Sequence, residues 1–408
     1  MDKKRLIYAA IFLVVSIGLG YFMYRVFWAK KAPVAKKITT TQVAPGKALP
    51  SAGEAGEKVI TPKAGKLPTA KTLPKAAVKI QPTPAVPYPI ARITEAPITG
   101  ARADKSGATR FYSLTDGKFY RVGADGKAQE LSGEVFYNVE KVTWSPTQNE
   151  SIIEYPDGAN IYYNFDTKKQ ITLPKHWQDF SFSTLGNKIA AKSIGLAPEN
   201  RWLTISDPQG RNITAVEPLG ENAAKVKVDW SPNQQIIATS LTGDQSLGAD
   251  RQEVLFVGQH KENFKSIIVE GRGFESQWSP QGNKLLYSVY SARSSFKPEL
   301  WMVNASGESI GSGRKMLNLN TWSNKCAFAD ERFVFCAVPT ELNTGAGFAP
   351  GVADNTEDAI YKIDTETGLK SELPLDEYHV INSLYIGDNG KTLYFTDKNQ
   401  SGLFSFPL

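Results

Sequence analysis

The 408-residue chain offers few residues arranged for chemistry. One string, "GESIG" from Gly307 to Gly311, fits the pattern in which Ser309 would be a nucleophile on a strained strand-to-helix turn. Its surroundings argue otherwise. "ELWMVN" before it and "KMLNL" after it read as two strands, so Ser309 is expected in the turn that joins them. The three histidines, His176, His260 and His379, form no His or Cys pair at metal-ligand spacing, and no phosphate-cradling loop occurs. Asp- and Asn-rich turns leave a calcium site open, although no string resembles an EF-hand loop. No cofactor is expected. An enzyme of the lyase or glycan-hydrolase type would have to draw on His176, Arg272 and His379, gathered at the mouth of a channel. Cys326 and Cys336 flank the tight turn "ADER". In a hairpin they would oppose each other across paired strands, giving either a disulfide, in an oxidising compartment, or two buried thiols.

Positioning such residues falls to a repeated phrase. "WSPTQNESIIEY" from Trp144, "WSPNQQIIATS" from Trp230 and "WSPQGNKLLYSVY" from Trp278 each give a short strand, a polar turn and a second strand. "FSFSTLGNKIAAKS" (180–193), "CAFADERFVFCAV" (326–338) and "LYIGDNGKTLYFTD" (384–397) have the same shape. Third strands follow as "NIYYNF", "WLTISD", "EVLFVG", "ELWMVN", "AIYKI" and "GLFSF", and fourth strands as "KQITL", "NITAV" and "KSIIV". Trp144, Phe182, Trp230, Trp278, Phe328 and Ile386 mark the register at intervals of 38, 48, 48, 50 and 58. Four short strands per forty to fifty residues is the signature of a β-propeller, an all-β fold; a sandwich would lack the fixed period.

With "RFYSL" and "GKFYRV" (117–122) included, third strands number seven, so seven four-stranded blades are expected, with six as the alternative. The chain ends at "GLFSFPL" without a fourth strand for the last blade, while "IARIT" (90–94) is left over at the start. Ring closure by that N-terminal segment is the expectation. Proline ends the innermost strand without needing a ladder hydrogen bond, and the opening tryptophans should fill the wedges between blades.

"WSPQGNKLLYSVY" followed by "ELWMVNASGE" resembles the TolB-like β-propeller repeat, with its Ser-Pro-x-Gly turn, apolar strand and Ile-Tyr-like third strand. The likeness is clearest at Trp278, weaker at Trp144 and Trp230, weakest at Phe328, and covers about residues 90–408. It is specific for fold and poor for function. Members of that family include periplasmic partner-binding proteins, lids of prolyl oligopeptidases and lyase or sensor modules. What the resemblance implies is a bacterial, WD-like propeller with a binding surface; it names no ligand.

Ahead of the propeller (88–408), two further segments are expected. Leu6 to Tyr24 is nineteen residues without a charge, close to the roughly 20 needed for a transmembrane helix. A signal peptide is the alternative, but Tyr21, Phe22, Met23 and Tyr24 fill the region where a peptidase needs small residues. Residues 1–28 are therefore expected to be a cytoplasmic tail and a single-pass anchor. Residues 29–87, rich in Lys, Pro and Ala, should be a disordered linker spanning about 40–50 Å as a flexible coil. The expected orientation puts the propeller outside the cytoplasm, although Arg25, Lys30, Lys31, Lys36 and Lys37 behind the helix weigh against that on a positive-inside count. Residues 1–28 carry +3 and residues 29–89 carry +9 of a total of +6, which leaves −6 for the propeller. That balance disfavours nucleic acid as a partner.

A binding surface is better indicated by loop length. Strand-two-to-three connections include 241–252, 291–298 and 339–358, and in a propeller these emerge on the same face as the blade-to-blade loops. Candidate binding residues on that face are Tyr137, Asn138, His176, Trp177, Arg272, Phe274, Trp322, Phe348, Tyr378 and His379. A mixed aromatic and polar rim suits a protein or peptide partner, with a cell-envelope glycan as a further candidate. The segment 339–358, with three glycines, two prolines and one aromatic, is expected to lie outside the core and to lack secondary structure of its own.

Overall fold

The computed structural model describes residues 89–408 except 105, 124, 245, 246, 249, 388 and 389. The expected anchor at Leu6–Tyr24, the linker at 29–87 and the boundaries between them lie outside the described residues. Among the described residues, no helix is long and apolar enough to cross a membrane.

The first strand, β1 (Ala91–Thr94), belongs with the end of the chain. Blade I follows as β2 (Ile98–Ala103), β3 (Thr109–Ser113), β4 (Lys118–Val122) and β5 (Ala128–Glu130). Blade II is β6 (Lys141–Trp144), β7 (Glu150–Glu154), β8 (Asn160–Asn164) and β9 (Lys169–Leu173). Blade III is β10 (Trp177–Phe182), β11 (Ile189–Ile194), β12 (Arg201–Ser206) and β13 (Thr214–Pro218). Blade IV is β14 (Val226–Val228), β15 (Ile236–Ser240), β16 (Gln252–Gly258) and β17 (Ile267–Val269). Blade V is β18 (Arg272–Trp278), β19 (Lys284–Tyr290), β20 (Glu299–Asn304) and β21 (Lys315–Met316). Blade VI is β22 (Cys326–Phe328), β23 (Phe333–Pro339), β24 (Asp358–Asp364) and β25 (Lys370–Leu373). Blade VII takes β26 (Ile381–Gly387), β27 (Thr392–Asp397) and β28 (Leu403–Pro407) from the C-terminus and β1 from the N-terminus. The propeller has seven blades, each a four-stranded antiparallel sheet.

The first strands of neighbouring blades stand side by side around the axis, and β2 touches both β6 and β26, so the ring is closed. The core is divided among the blade interfaces. One apolar cluster joins Tyr112 and Phe119 of blade I to Trp144 and Tyr163 of blade II. Another joins Val254 and Phe256 of blade IV to Trp278 and Tyr287 of blade V. Trp144, Trp230 and Trp278 are buried. The first and last of them reach back to the preceding blade, Trp144 Nε1 donating to Gly100 O at 2.6 Å and Trp278 Nε1 to Asp229 O at 3.3 Å. Arg110 lies 4.5 Å over the Trp144 ring; burial pulls its pKa down to about 10. Deleting one such wedge to alanine should cost about 3–5 kcal/mol.

The serine of the repeated phrase has a role that the sequence did not disclose. Ser145, Ser231 and Ser279 are wholly buried, and each backbone N–H donates to the carbonyl five residues on, closing the turn. Ser231 Oγ accepts from Ile236 N at 2.9 Å and Ser279 Oγ from Lys284 N at 3.1 Å, satisfying the first amide of the second strand. The turns are also stitched to one another. Arg110 donates to Ser145 O, Thr147 to Leu185 O, Thr184 to Pro232 O, and Asn233 to Gly282 O. Gly282 has φ +72°, and a Cβ there would stand 2.7 Å from Asn233 N.

Closure uses Ala91–Thr94, one residue shorter than the expected segment, because Ile90 leaves the ladder and packs against the apolar cluster that includes Phe335, Ile360, Phe395 and Phe404. Ala91 pairs with Ser405, Arg92 with Phe404 and Thr94 with Leu403. Ile93 joins the cluster shared with Phe111 and Leu403. Gly402 is required at this seam, since a Cβ on it would sit 2.1 Å from the Thr94 carbonyl oxygen. In blade VI, Cys326 and Cys336 oppose each other across β22 and β23 and are bonded, with both residues buried.

A chain beginning at Ala96 loses β1 and leaves β28 as an open edge. Losing the burial of Ile93 and the strand pairing, it should melt at least about 5 °C below a chain beginning at Pro87. Thermal unfolding of the two checks this, and equal midpoints would show that the seam contributes nothing.

Candidate functional site

Antiparallel order within each blade sends the connections between strands two and three, and between successive blades, to one face. The connections between strands one and two, and three and four, go to the other. The second face is the stitched one described above; Ser309 lies on it, in a 3-10 turn at Gly307–Ser309 with its hydroxyl donating to Ser306 O at 2.6 Å. That geometry is a closed turn between β20 and β21, with no strand-to-helix elbow.

The first face carries the long loops and most of the exposed large apolar side chains: Leu114, Val135, Tyr137, Leu196, Phe296, Phe348, Val352 and Tyr378. The stitched face exposes Leu185, Ile213, Leu369 and Leu408 among the described residues. Of the residues singled out from the sequence, Tyr137, Asn138, His176, Phe348 and Tyr378 are exposed and Arg272 is half-buried, its guanidinium donating to Gly248 O at 2.9 Å.

Four candidates are not on the rim. Trp177 and Phe274 lie on first strands, where alternation turns every second side chain into a blade interface; they pack on Phe180 and Tyr287. Trp322 is covered by Leu342, Ala346 and Ala353. His379 is 1% exposed, with Nδ1 2.9 Å from Asp397 Oδ2 and its ring against Phe395 and Phe404. Its backbone carbonyl accepts from Asp358 N. This histidine is therefore a fastening between blades, and the grouping of His176, Arg272 and His379 at a channel mouth loses one of its members to the core.

The segment 339–358 also departs from expectation. It contains a 3-10 turn at Pro350–Ala353 and buries Ala346 and Ala353 over Trp322. Its last residue, Asp358, is a buried ion-pair partner of Lys325 and accepts from Ile381 N at 2.7 Å. Burial pushes the Asp358 pKa up and that of Lys325 down, against their mutual attraction. This loop is an ordered lid on blade VI.

Two features give the loop face relief. A groove of about 720 Å³ at the entry to blade II is lined by Tyr137, Asn138, Tyr155, Pro156, Asp157 and Ile161. Between blades V and VI, the Phe348 ring meets Tyr290 and Phe296 edge-on, with centroids 5.8 and 5.7 Å away. Neither Tyr155 nor Phe296 was singled out in the sequence. For Phe296 a signal exists: in "SARSSFKP" an aromatic stands among serines and bases with no apolar neighbour to share a core with.

Partly buried Asp229 directly follows β14, the first strand of blade IV. Burial raises its pKa to about 6, while Lys227 and Arg102 pull it back. A carboxyl whose folded pKa is raised stabilises the fold most below its ordinary pKa of 3.8 and loses that contribution as pH rises through about 6. Asp229→Asn should therefore be more stable than the parent at pH 7.5 and not at pH 3.5, as urea unfolding at the two pH values would read; an equal difference at both would refute the burial.

With this geometry in view, solved structures can be compared. An oligogalacturonate lyase in complex with manganese superposes with a TM-score of 0.54 at 11% identity, over 78% of this chain and 93% of that one. The oligogalacturonate lyase from Vibrio parahaemolyticus gives 0.53 at 11%, over 78% and 92%. A β-propeller domain from Myceliophteria thermophila gives 0.52 at 11%, over 78% and 99%. The likeness is one of fold. No family model matches the chain, and no curated protein matches its sequence. Among the described residues no group of three His, Cys, Asp or Glu is placed to hold a metal ion.

Proposed function

We propose that the chain is a TolB-like, membrane-tethered extracytoplasmic propeller that binds a protein or peptide, as receptor or scaffold, through its loop face. The observation that supports this reading is the difference between the two faces. One is made of tight turns that spend their polar groups on each other. The other presents ordered loops with exposed tyrosine and phenylalanine, the residue types that supply contact area at low entropic cost. The apolar stretch at Leu6–Tyr24 and the Lys/Pro/Ala-rich stretch behind it support the tether. A propeller enzyme of lyase or glycan-hydrolase type is the weaker reading, because His379, one of its three polar groups, is committed to Asp397 inside the core.

A photo-reactive phenylalanine analogue at position 137 or 378, in full-length chain expressed in its own membrane, should give crosslinked protein adducts. The same analogue at Leu185, on the stitched face, should give few. Adducts from position 185 alone would overturn the assignment of the face.

A further inference from the structure

Loop 340–357 of blade VI and loop 374–380 leading into blade VII carry three exposed apolar side chains, Phe348, Val352 and Tyr378. The same two loops hold five carboxylates, Glu341, Asp354, Glu357, Asp376 and Glu377, and no lysine or arginine. Lys398 pairs with Asp354. Asp376 accepts from Ile90 N at 3.4 Å, and Glu377 stands 4.0 Å from His379 Nε2. Glu341 and Glu357 are exposed and have no ion-pair partner among the described residues. On the blade V side, Arg293 is occupied by Glu299, and Lys297 is partly buried.

The apolar part of this surface is held rigidly. Ser295 and Phe296 both have left-handed backbones, φ 55° and 57°, a conformation costing non-glycine residues on the order of 1 kcal/mol or more each. They are fixed by the neighbouring loop, where Gly345 N donates to Ser295 O at 3.0 Å and Gly347 N to Phe296 O at 2.7 Å. Phe296 and Phe348 thus form an apolar ridge, and the loop that carries Phe348 also carries exposed Val352, Glu341 and Glu357.

We propose that this ridge docks a basic protein segment, which lays an aliphatic or aromatic side chain against Phe348 and sets lysine or arginine beside Glu341, Glu357 and Glu377. The proposal rests on the reading of the loop face as the binding surface and names the chemistry of its partner. Apolar contact supplies the affinity, while the carboxylates orient the segment and repel acidic ones.

The test places the photo-reactive analogue at position 348 in the full chain in its own membrane and identifies the adduct segment by mass spectrometry. A segment rich in Lys and Arg is expected. Its yield should fall at least fivefold when Glu341→Gln, Glu357→Gln and Glu377→Gln are combined, and again on raising salt to about 0.5 M. Equal yield from the triple variant, or a segment without basic residues, overturns the proposal. Adducts at position 137 but none at 348 also overturn it, while leaving the loop-face reading intact. Adducts confined to position 185 overturn both. Unchanged expression and melting of the triple variant confirm that any loss is one of binding.

Discussion

A ring of wedges has to close. Each blade buries both of its faces against neighbours in apolar clusters such as those around Trp144, Trp230 and Trp278, so a circle left open would expose a blade face on either side of the gap. The seam joins the two ends of the described chain, with Ala91 opposite Ser405 and Ile93 packed beside Leu403 and Phe111. Long-range pairing of this kind is established late, because its loop-closure entropy must be met before the contact contributes. The repeated turns and the tryptophan wedges define local shape; the seam makes seven local shapes into one fold.

Much of this architecture was legible in the sequence, and for definite reasons. The repeat announced itself because Trp-Ser-Pro couples a wedge residue to a turn at a nearly fixed period, and the missing last strand pointed to Ile90–Thr94. The serine hydroxyl was opaque, since a buried Ser and a solvated Ser read alike until the amide of Ile236 or Lys284 is seen to point at it. The binding rim was read less well. Trp177, Phe274, Trp322 and His379 sit within a few residues of loops, and near a strand boundary one step of alternation decides between solvent and wedge. Phe348 and Tyr378 are exposed, in loops that offer no strand to alternate along.

The two faces use polar groups in opposite ways. On the stitched face, side chains such as Thr147, Thr184 and Asn233 are consumed by carbonyls of the next blade. On the loop face neighbouring loops meet through their backbones, as where Gly345 and Gly347 donate to Ser295 and Phe296, and side chains such as Phe348 are left facing outward. A framework that is rigid on one side tolerates variation on the other, so the fold by itself assigns no activity.

The seam has a mechanical side. Residue 90 continues into the N-terminal chain, so any tension carried by that chain enters the ring at β1 before it reaches any other strand. Pulled along its own axis, β1 would load its bonds to β28 together, in shear; pulled outward from the rim, it would surrender them singly, like a zip. Its pairs at Ala91, Arg92 and Thr94 would therefore respond to the direction of a force as well as to its size.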